Sequence, residues 1–229
     1  MTIYPREFYL KQLRPFYDSD LIKVITGIRR CGKSCLMQSV ALELKSKGVA
    51  EKDIVFLNLD KRGYKNIVTP DALEKAIDAK IVDEDFKYIF IDEIQNVEGF
   101  EPVINAYREE GNCSIFITGS NSYLLSGELV TKLTGRYVQI DMHTLSFDEF
   151  LSMKRFLVFL LHDNRIEFDE YLTRGGFPKV LEFSDTDIKF KYISDIVAQV
   201  FDKDIYARCK IKNRIAFDKV MTYLINNFG

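Results

Sequence analysis

A glycine-containing loop that ends in lysine and serine is the first feature of this sequence able to do chemistry. It matches GxxxxGKS and reads Gly27-Ile28-Arg29-Arg30-Cys31-Gly32-Lys33-Ser34. Glycines at 27 and 32 let backbone N–H groups approach phosphate oxygens without a Cβ clash, and the start of a following helix favours the same anion. Lys33 is placed to reach the β- and γ-phosphates, and the Ser34 hydroxyl to bind Mg²⁺. The pattern predicts a phosphate-binding loop with contacts from Gly27 to Cys35.

Two adjacent carboxylates are the second feature. Asp92 and Glu93 directly follow the apolar run of residues 88–91. Ligands of open parallel sheets lie at the carboxyl ends of the strands, where successive side chains diverge. We expect Asp92 to orient the Mg²⁺ shell and Glu93 to align the attacking water or accept its proton. A solvated acidic turn is the alternative, which the phosphate loop upstream disfavours.

Asn121 and Arg136 are candidates with competing explanations. Asn121, or its neighbour Ser120, follows another apolar run and is suited to bind the γ-phosphate or the attacking water, but a helix N-cap explains it equally well. Arg136 would stabilise charge on the transferred phosphoryl group, within its own subunit or across an interface. An ordinary surface arginine fits the same position.

Four further loop residues have open or modest roles. Arg29 and Arg30 either help to hold phosphate or a neighbouring acidic surface, or are simply solvated. Cys31 and Cys35 are counted with the loop's contacts, and we interpret them as small packing residues rather than as a redox pair.

Alternating apolar segments and amphipathic helices must position these residues. Short apolar runs predict strands at residues 21–26, 54–59, 88–91, 114–118 and 137–141, and helices are expected at 8–17, 36–44, 70–82, 101–110 and 123–134. Nearly continuous apolar strands separated by helices predict an α/β fold with a five-stranded, mostly parallel sheet covered on both faces. After Leu145 the spacing becomes helical, with a capped start at Ser146, a break at residues 175–178 and a last helix at 217–228.

Composition sets the outer limits. The chain has 229 residues, 47% of them hydrophobic, and a formal net charge of −2, which provides no overall attraction to nucleic acid or anionic lipid. Its four cysteines lack metal-ligand spacing, which favours a reducing, cytoplasmic location. No signal region or membrane-spanning stretch is found, and the apolar run of residues 156–161 is expected to belong to a packed helix.

Taken together, the motifs resemble the AAA+ superfamily, and within it the prokaryotic predicted ATPases with a GxRRxGKS loop and an hhhhDEhQ second motif. Four more segments match: Thr118-Gly119-Ser120-Asn121, Leu133-Thr134-Gly135-Arg136, Leu145-Ser146-Phe147-Asp148-Glu149-Phe150 and Gly175-Gly176-Phe177-Pro178. The resemblance implies strand order 5-1-4-3-2 with a helical lid, Asn121 as a polar sensor and Arg136 as an arginine finger. Such proteins continue well beyond 229 residues. We therefore expect a P-loop core in residues 1–145, and a lid with the start of a truncated C-terminal domain in 146–229.

The expected function is Mg²⁺-dependent ATP hydrolysis, with ATP and ADP as ligands, that switches the lid and an attached or partner effector. The alternative is a nucleotide-dependent DNA- or protein-binding module with incidental hydrolysis, supported locally only by Lys210, Lys212 and Arg214. A solvated helix face explains that basic run as well. Phosphoryl transfer to a metabolite is disfavoured by the Asp92-Glu93 pair and the helical tail. A homo-oligomer acting through Arg136 is compatible with the sequence.

Overall fold

A single parallel sheet forms the centre of the N-terminal part of the chain. The computed structural model describes residues 3–119, 133–206 and 211–227. The strands are β1 (Ile22–Gly27), β2 (Ile54–Asn58), β3 (Lys87–Asp92), β4 (Cys113–Gly119) and β5 (Tyr137–Met142). They pair in parallel in the order β2-β3-β4-β1-β5. The predicted α/β class and the order 5-1-4-3-2, read from the opposite edge, are confirmed.

Burial along the strands follows their place in the sheet. Every residue of β1, β3 and β4 is buried, whereas the edge strands β2 and β5 include partly exposed positions, and β5 also an exposed one. Central strands of a parallel sheet are covered on both faces, which is why they read as continuous apolar runs. On one face the rings of Phe56, Phe90 and Phe116 stack across β2, β3 and β4, with centroid separations of 5.5 and 4.6 Å.

Helices cover both faces of the sheet. They are α1 (Glu7–Leu13), α2 (Lys33–Ser46), α3 (Pro70–Asp78) and α4 (Glu101–Glu110). Leu10 of α1 and Leu36 of α2 belong to one apolar cluster, and Leu73 of α3 and Ile104 of α4 belong to the other. The helix predicted at residues 123–134 falls almost entirely outside the described residues.

The rest of the described chain is helical, as predicted. It contains α5 (Phe147–Phe156), α6 (Asn164–Arg174), α7 (Thr186–Val200), which continues into a π-helix (Phe201–Tyr206), and α8 (Arg214–Asn226). The predicted cap is confirmed, because Ser146 Oγ accepts from Glu149 N at 3.3 Å and Glu149 Oε2 accepts from Ser146 N at 3.0 Å. The predicted break is also confirmed, since α6 ends at Gly175 with φ of 67°.

One helix expectation is wrong. The run of residues 156–161 does not form a packed helix, because α5 ends at Phe156 and the side chains of Val158 and Leu160 are 88% and 90% exposed. Val158 takes a left-handed conformation with φ of 62°, which breaks the helical path.

A buried ion-pair network joins the first two helices of this region. Lys154 of α5 donates to the carboxylates of Glu167 and Glu170 on α6, the latter at 3.0 Å. Burial opposes ionisation of Glu167, yet the hydrogen bond from Lys154 holds the pKa of this carboxyl below its usual range.

Within the described part of the chain, no helix combines the length and apolar character needed to cross a bilayer.

Candidate functional site

The predicted loop connects β1 to α2 at the carboxyl edge of the sheet. Gly27 ends β1 with φ of 152°, and a Cβ there would lie 2.3 Å from Met142 O of β5. Gly32, with φ of 108°, directly precedes Lys33, the first residue of α2. Arg30 also takes a left-handed conformation, with φ of 66°. The strand, loop and helix that the motif requires are therefore present, and glycine is needed at both positions.

Lys33 is held inside the loop. Its Nζ donates to Gly27 O at 2.9 Å and to Ile28 O at 3.2 Å, and the residue is buried. Both acceptors are carbonyls of the loop itself, so the ammonium group is already at the loop's centre. A cation at this position can exchange weak carbonyl acceptors for phosphate oxygens, which are stronger partners.

Asp92 is fixed between the ends of two neighbouring strands. Asn58 of β2, its direct partner in the sheet, donates from Nδ2 to Asp92 Oδ2 at 2.6 Å. On the other side Thr118 of β4 donates from Oγ1 to Asp92 Oδ1 at 2.6 Å. The carboxylate is fully buried. Two donors on opposite oxygens of a buried carboxylate hold it in one orientation.

Glu93 turns away from Asp92. Its φ of 61° places it in the left-handed region, and its backbone N–H donates to Thr118 Oγ1 at 3.0 Å. Gln95 donates from Nε2 to Glu93 Oε2. Strained backbone of this kind costs about 1–3 kcal/mol and concentrates at functional sites. The turn gives the two carboxylates different surroundings, because Asp92 is buried and Glu93 lines an open cleft.

The cleft beside the loop is lined by a polar set and an apolar set of residues, which we call its polar and apolar ends. Its volume is about 560 Å³, within the ~300–1,000 Å³ range of small-molecule sites. One end is polar and contains Arg29, Arg30, Gly32, Lys33, Ser34, Cys35, Asp60 and Glu93. The other is mainly apolar and contains Ile3, Tyr4, Leu145, Met153, Phe156 and Leu157. The arrangement suits a ligand with a charged group at one end and a flat apolar group at the other.

The helical region forms another wall of this cleft. Leu145 N donates to Gly176 O at 2.7 Å, and a Cβ on Gly176 would lie 2.3 Å from Leu145 O. The Gly175-to-Pro178 turn is therefore held against the start of α5. Lys179 follows this turn, is ion-paired with Glu182, and lines the cleft. The motif that begins at Leu145 and the turn at residues 175–178 thus lie in contact, because Gly176 permits a close approach of the two backbones.

Arg136 lies at the amino-terminal ends of the strands, whereas the loop lies at their carboxyl ends. Its carbonyl accepts from the N–H of Ile22, the first residue of β1, at 2.9 Å. The length of β1, about 17 Å, separates this position from the loop at Gly27. The guanidinium Nε lies 3.9 Å from Glu109 Oε1, and the side chain is 43% exposed. Within its own chain Arg136 does not reach the cleft.

The remaining candidates are Asn121 with Ser120, the two loop cysteines and Ile28. Asn121 and Ser120 lie outside the described residues, so their placement stays a prediction. Cys31 is buried, Cys35 is exposed at the surface, and both are free thiols whose pKa is raised by desolvation. Ile28, within the loop, is exposed.

Sequence reasoning missed four residues: Asn58, Thr118 as a partner of the carboxylates, Arg6 and Asp60. Asn58 and Thr118 carried a usable signal, since each is a polar residue at the end of an apolar strand, as Asp92 is. Asp60 lines the polar end of the cleft two residues beyond β2. Arg6 carried no such signal.

These features together define an AAA+ P-loop ATPase-like fold, since a parallel sheet in this order carries the phosphate loop after β1 and the acidic pair after β3. The chain belongs to the AAA domain family, whose model matches residues 19–151. A second match, to a domain of unknown function (DUF8612), covers residues 165–229.

Two curated relatives are themselves uncharacterized. The chain is 40% identical over 228 residues to an uncharacterized protein of Haemophilus influenzae, with 98% of this chain and 56% of the relative covered. It is 32% identical over 215 residues to uncharacterized protein MJ1544 of Methanocaldococcus jannaschii, with 91% and 47% covered. The chain spans about half the length of these relatives.

Solved structures are similar in fold. The replication initiator DnaA bound to AMPPCP and single-stranded DNA matches with a TM-score of 0.52 and 16% identity, over 91% of this chain and 72% of that chain. The Saccharomyces cerevisiae Hsp104:casein complex matches with a TM-score of 0.51 and 13% identity, over 86% and 38%. At these identities the likeness concerns the fold alone.

Proposed function

We propose that this chain binds Mg-ATP and hydrolyses it to ADP and phosphate. The observation that carries the proposal is the meeting of Lys33, Asp92 and Glu93 at one edge of the sheet, with Lys33 and Glu93 lining one cleft. A cation inside a glycine-bounded loop, a fixed carboxylate and a second carboxylate with its own orientation are the groups that phosphoanhydride hydrolysis requires.

The loop would hold the triphosphate. Its backbone N–H groups and the first turn of α2 supply donors to phosphate oxygens, and Lys33 would exchange its contacts with Gly27 O and Ile28 O for the β- and γ-phosphates. Arg29 and Arg30 line the same end of the cleft. These cations would offset the ligand's negative charge.

Ser34 in the cleft lining and the buried Asp92 carboxylate are groups that fit a magnesium ion. Mg²⁺ prefers oxygen ligands and uses few protein groups, and the Ser34 hydroxyl and the Asp92 carboxylate would hold it, the latter directly or through water. When bound, the ion would neutralise charge on the phosphate oxygens. Asn58 and Thr118 keep the Asp92 carboxylate in place for this role.

Glu93 would act on water. Its carboxylate lines the cleft and is oriented by Gln95. It would align the attacking water and accept its proton as the bond to the γ-phosphorus forms and the bond to the leaving ADP oxygen breaks. Separate surroundings for Asp92 and Glu93 support separate roles.

The apolar end of the cleft would receive the adenine ring. It combines the N-terminal segment, through Ile3 and Tyr4, with α5 and the residue after it, through Phe156 and Leu157. A base placed there would contact both the P-loop core, proposed as residues 1–145, and the helical lid within residues 146–229. ATP turnover would in this way switch the lid and an attached or partner effector in the cytoplasm.

A direct test compares three forms of the chain. Wild type should release phosphate from Mg-ATP, and a Glu93→Gln variant should bind ATP but hydrolyse it at least about 100-fold more slowly. A Lys33→Ala variant should lose nucleotide affinity. Equal rates for wild type and Glu93→Gln would remove Glu93 from its role, and no binding by wild type would end the proposal.

No described feature favours the DNA-binding alternative. Arg214, part of the basic run that motivated it, pairs with Asp202 at 2.8 Å and lies 4.0 Å from the centre of the Tyr206 ring. Lys210 lies outside the described residues. We therefore do not advance this alternative.

A further inference from the structure

A single arginine near the N-terminus uses all its donors on three separate elements. Arg6 Nε and Nη2 donate to the two carboxylate oxygens of Glu149 at 2.8 and 2.5 Å. Nη1 donates to Cys31 O at 3.2 Å and to His143 O at 2.7 Å, and Nη2 donates to Thr144 O at 3.1 Å. A guanidinium has five N–H donors, so each has an acceptor.

The partners of Arg6 belong to parts of the molecule that the proposed reaction must coordinate. Cys31 lies in the phosphate loop, immediately before Gly32. His143 and Thr144 follow β5, and Glu149 belongs to the capping box that starts α5. One rigid side chain therefore connects the phosphate loop, the sheet edge and the first helix of the lid.

Geometry and burial favour arginine over lysine at this position. The Arg6 side chain is only 5% exposed and that of Glu149 is 15% exposed, so the pair is largely removed from water. A buried pair is tolerated only when its remaining donors are satisfied, which the three carbonyls achieve. Lysine has one nitrogen and cannot span a carboxylate and three carbonyls.

A second contact lies on the same side of the molecule. Tyr4, two residues before Arg6, packs edge to face on Phe156 at the far end of α5, with ring centroids 5.5 Å apart. Residues Ile3, Tyr4 and Arg6 line the cleft together with Lys33 and Ser34. Both ends of α5 are thus fastened to the N-terminal segment beside the site.

We propose that Arg6 is a positioning residue that couples the phosphate loop to α5 through Glu149. The proposal deepens the proposed function and rests on it for the identity of the ligand. Phosphate binding that shifts the backbone at Cys31 changes an acceptor of Arg6, and the guanidinium transmits the change to the Glu149 carboxylate. Because Glu149 also caps α5, the position of that helix follows the state of the loop.

The test uses amide hydrogen exchange on wild type and three single variants, and nucleotide binding on these and on the Arg6→Lys/Glu149→Gln double variant. Arg6→Lys removes the fork but keeps the charge, and Glu149→Gln weakens the pair while keeping a residue that serves in a capping box. Arg14→Lys is the control, because Arg14 also forms a forked pair, with Glu43, on a surface away from the cleft. β3 supplies the internal reference for global stability.

In the absence of nucleotide, Glu149→Gln should speed exchange in the phosphate loop, and Arg6→Lys should speed it in both the loop and α5, relative to β3. Arg14→Lys should leave both segments unchanged. If Glu149→Gln changes only α5, or if β3 changes equally, Arg6 has a purely structural role and the coupling is overturned.

With saturating Mg-AMPPCP, wild type should gain protection in both the loop and residues 146–156. In Arg6→Lys and Glu149→Gln the loop should still be protected while α5 is not, and affinity should fall about tenfold. The Arg6→Lys/Glu149→Gln double variant should bind Mg-AMPPCP no more weakly than the weaker-binding single variant, because both substitutions interrupt the same contact. Losses of binding free energy that add up in the double variant would contradict the coupling. Absence of nucleotide binding by wild type would refute the proposed function. The exchange rates measured without nucleotide test the coupling role of Arg6 independently of that result.

Discussion

The Thr118 hydroxyl donates to Asp92 Oδ1 at 2.6 Å and at the same time accepts from the backbone N–H of Glu93 at 3.0 Å. One side chain at the end of β4 therefore fixes both acidic residues that follow β3. The contact exists because Ile91 and Ile117 are paired in the sheet, which places the next residue of each strand side by side.

Removing this hydroxyl should reduce hydrolysis more than folding. A Thr118→Val variant keeps the shape of the side chain but removes one of the two donors to the Asp92 carboxylate and the acceptor of the Glu93 N–H. We expect kcat for Mg-ATP to fall about 10- to 100-fold, the usual cost of losing an outer partner of a site. Thr118→Ser, which keeps the hydroxyl, should retain most of the activity; equal losses in both variants would contradict a specific role of the hydroxyl.

The close contact at Gly27 should make it intolerant of substitution. A Cβ would lie 2.3 Å from Met142 O, a backbone atom that cannot move away cheaply. We expect Gly27→Ala to lower the free energy of unfolding by at least about 3 kcal/mol. Gly48→Ala is the control, since Gly48 has φ of 95° but open space around it, and should cost about 1 kcal/mol. Urea unfolding measures both, and similar losses would refute the steric argument.

The buried Lys23 should make stability rise with pH in the alkaline range. Desolvation lowers the pKa of Lys23 to about 8, although Cys113, Asp18 and Asp20 oppose the shift. Its Nζ donates to two neutral acceptors, Ser19 O at 3.1 Å and Ser114 Oγ at 2.6 Å.

The sign follows from proton binding. The ordinary pKa of a lysine is 10.5. Between pH 8 and pH 10.5 the unfolded chain therefore binds more protons at Lys23 than the folded chain does, so raising the pH favours folding. Below pH 8 the folded protein bears the full free-energy cost of burying the charged Lys23. Above pH 8 this cost decreases, by up to about 3 kcal/mol. Wild type should therefore gain stability relative to Lys23→Met as the pH rises from 7 to 10 in urea titrations. Parallel curves would contradict this.

If Arg136 takes part in hydrolysis, it should act on the site of a neighbouring subunit. An Arg136→Ala variant should lose at least about tenfold in rate, and mixing it with the inactive Glu93→Gln variant should restore activity, because the latter supplies Arg136 to an intact site. A mixture with the Arg136→Ala/Glu93→Gln double variant supplies no arginine and serves as the control. Full activity of Arg136→Ala as a monomer would show that the side chain has no role.

Much of the fold could be predicted because its signals are local. The apolar runs marked all five strands to within a residue or two, since strands buried on both faces leave little room for polar residues. Ser146 and Glu149 marked the start of α5 because a capping box is a contact over three residues. The run at residues 156–161 misled, because an apolar segment does not reveal whether a left-handed residue such as Val158 interrupts it.

The phosphate loop, the acidic pair and the helical character of the second half could be predicted from the sequence, because each depends on residues that are neighbours along the chain. The three-dimensional arrangement was needed to show that Asn58 and Thr118 hold Asp92, that Arg136 lies at the amino-terminal ends of the strands, and that Arg6 reaches Glu149 across 143 positions. Those relationships depend on strand order and helix packing, which bring together side chains that share no local pattern.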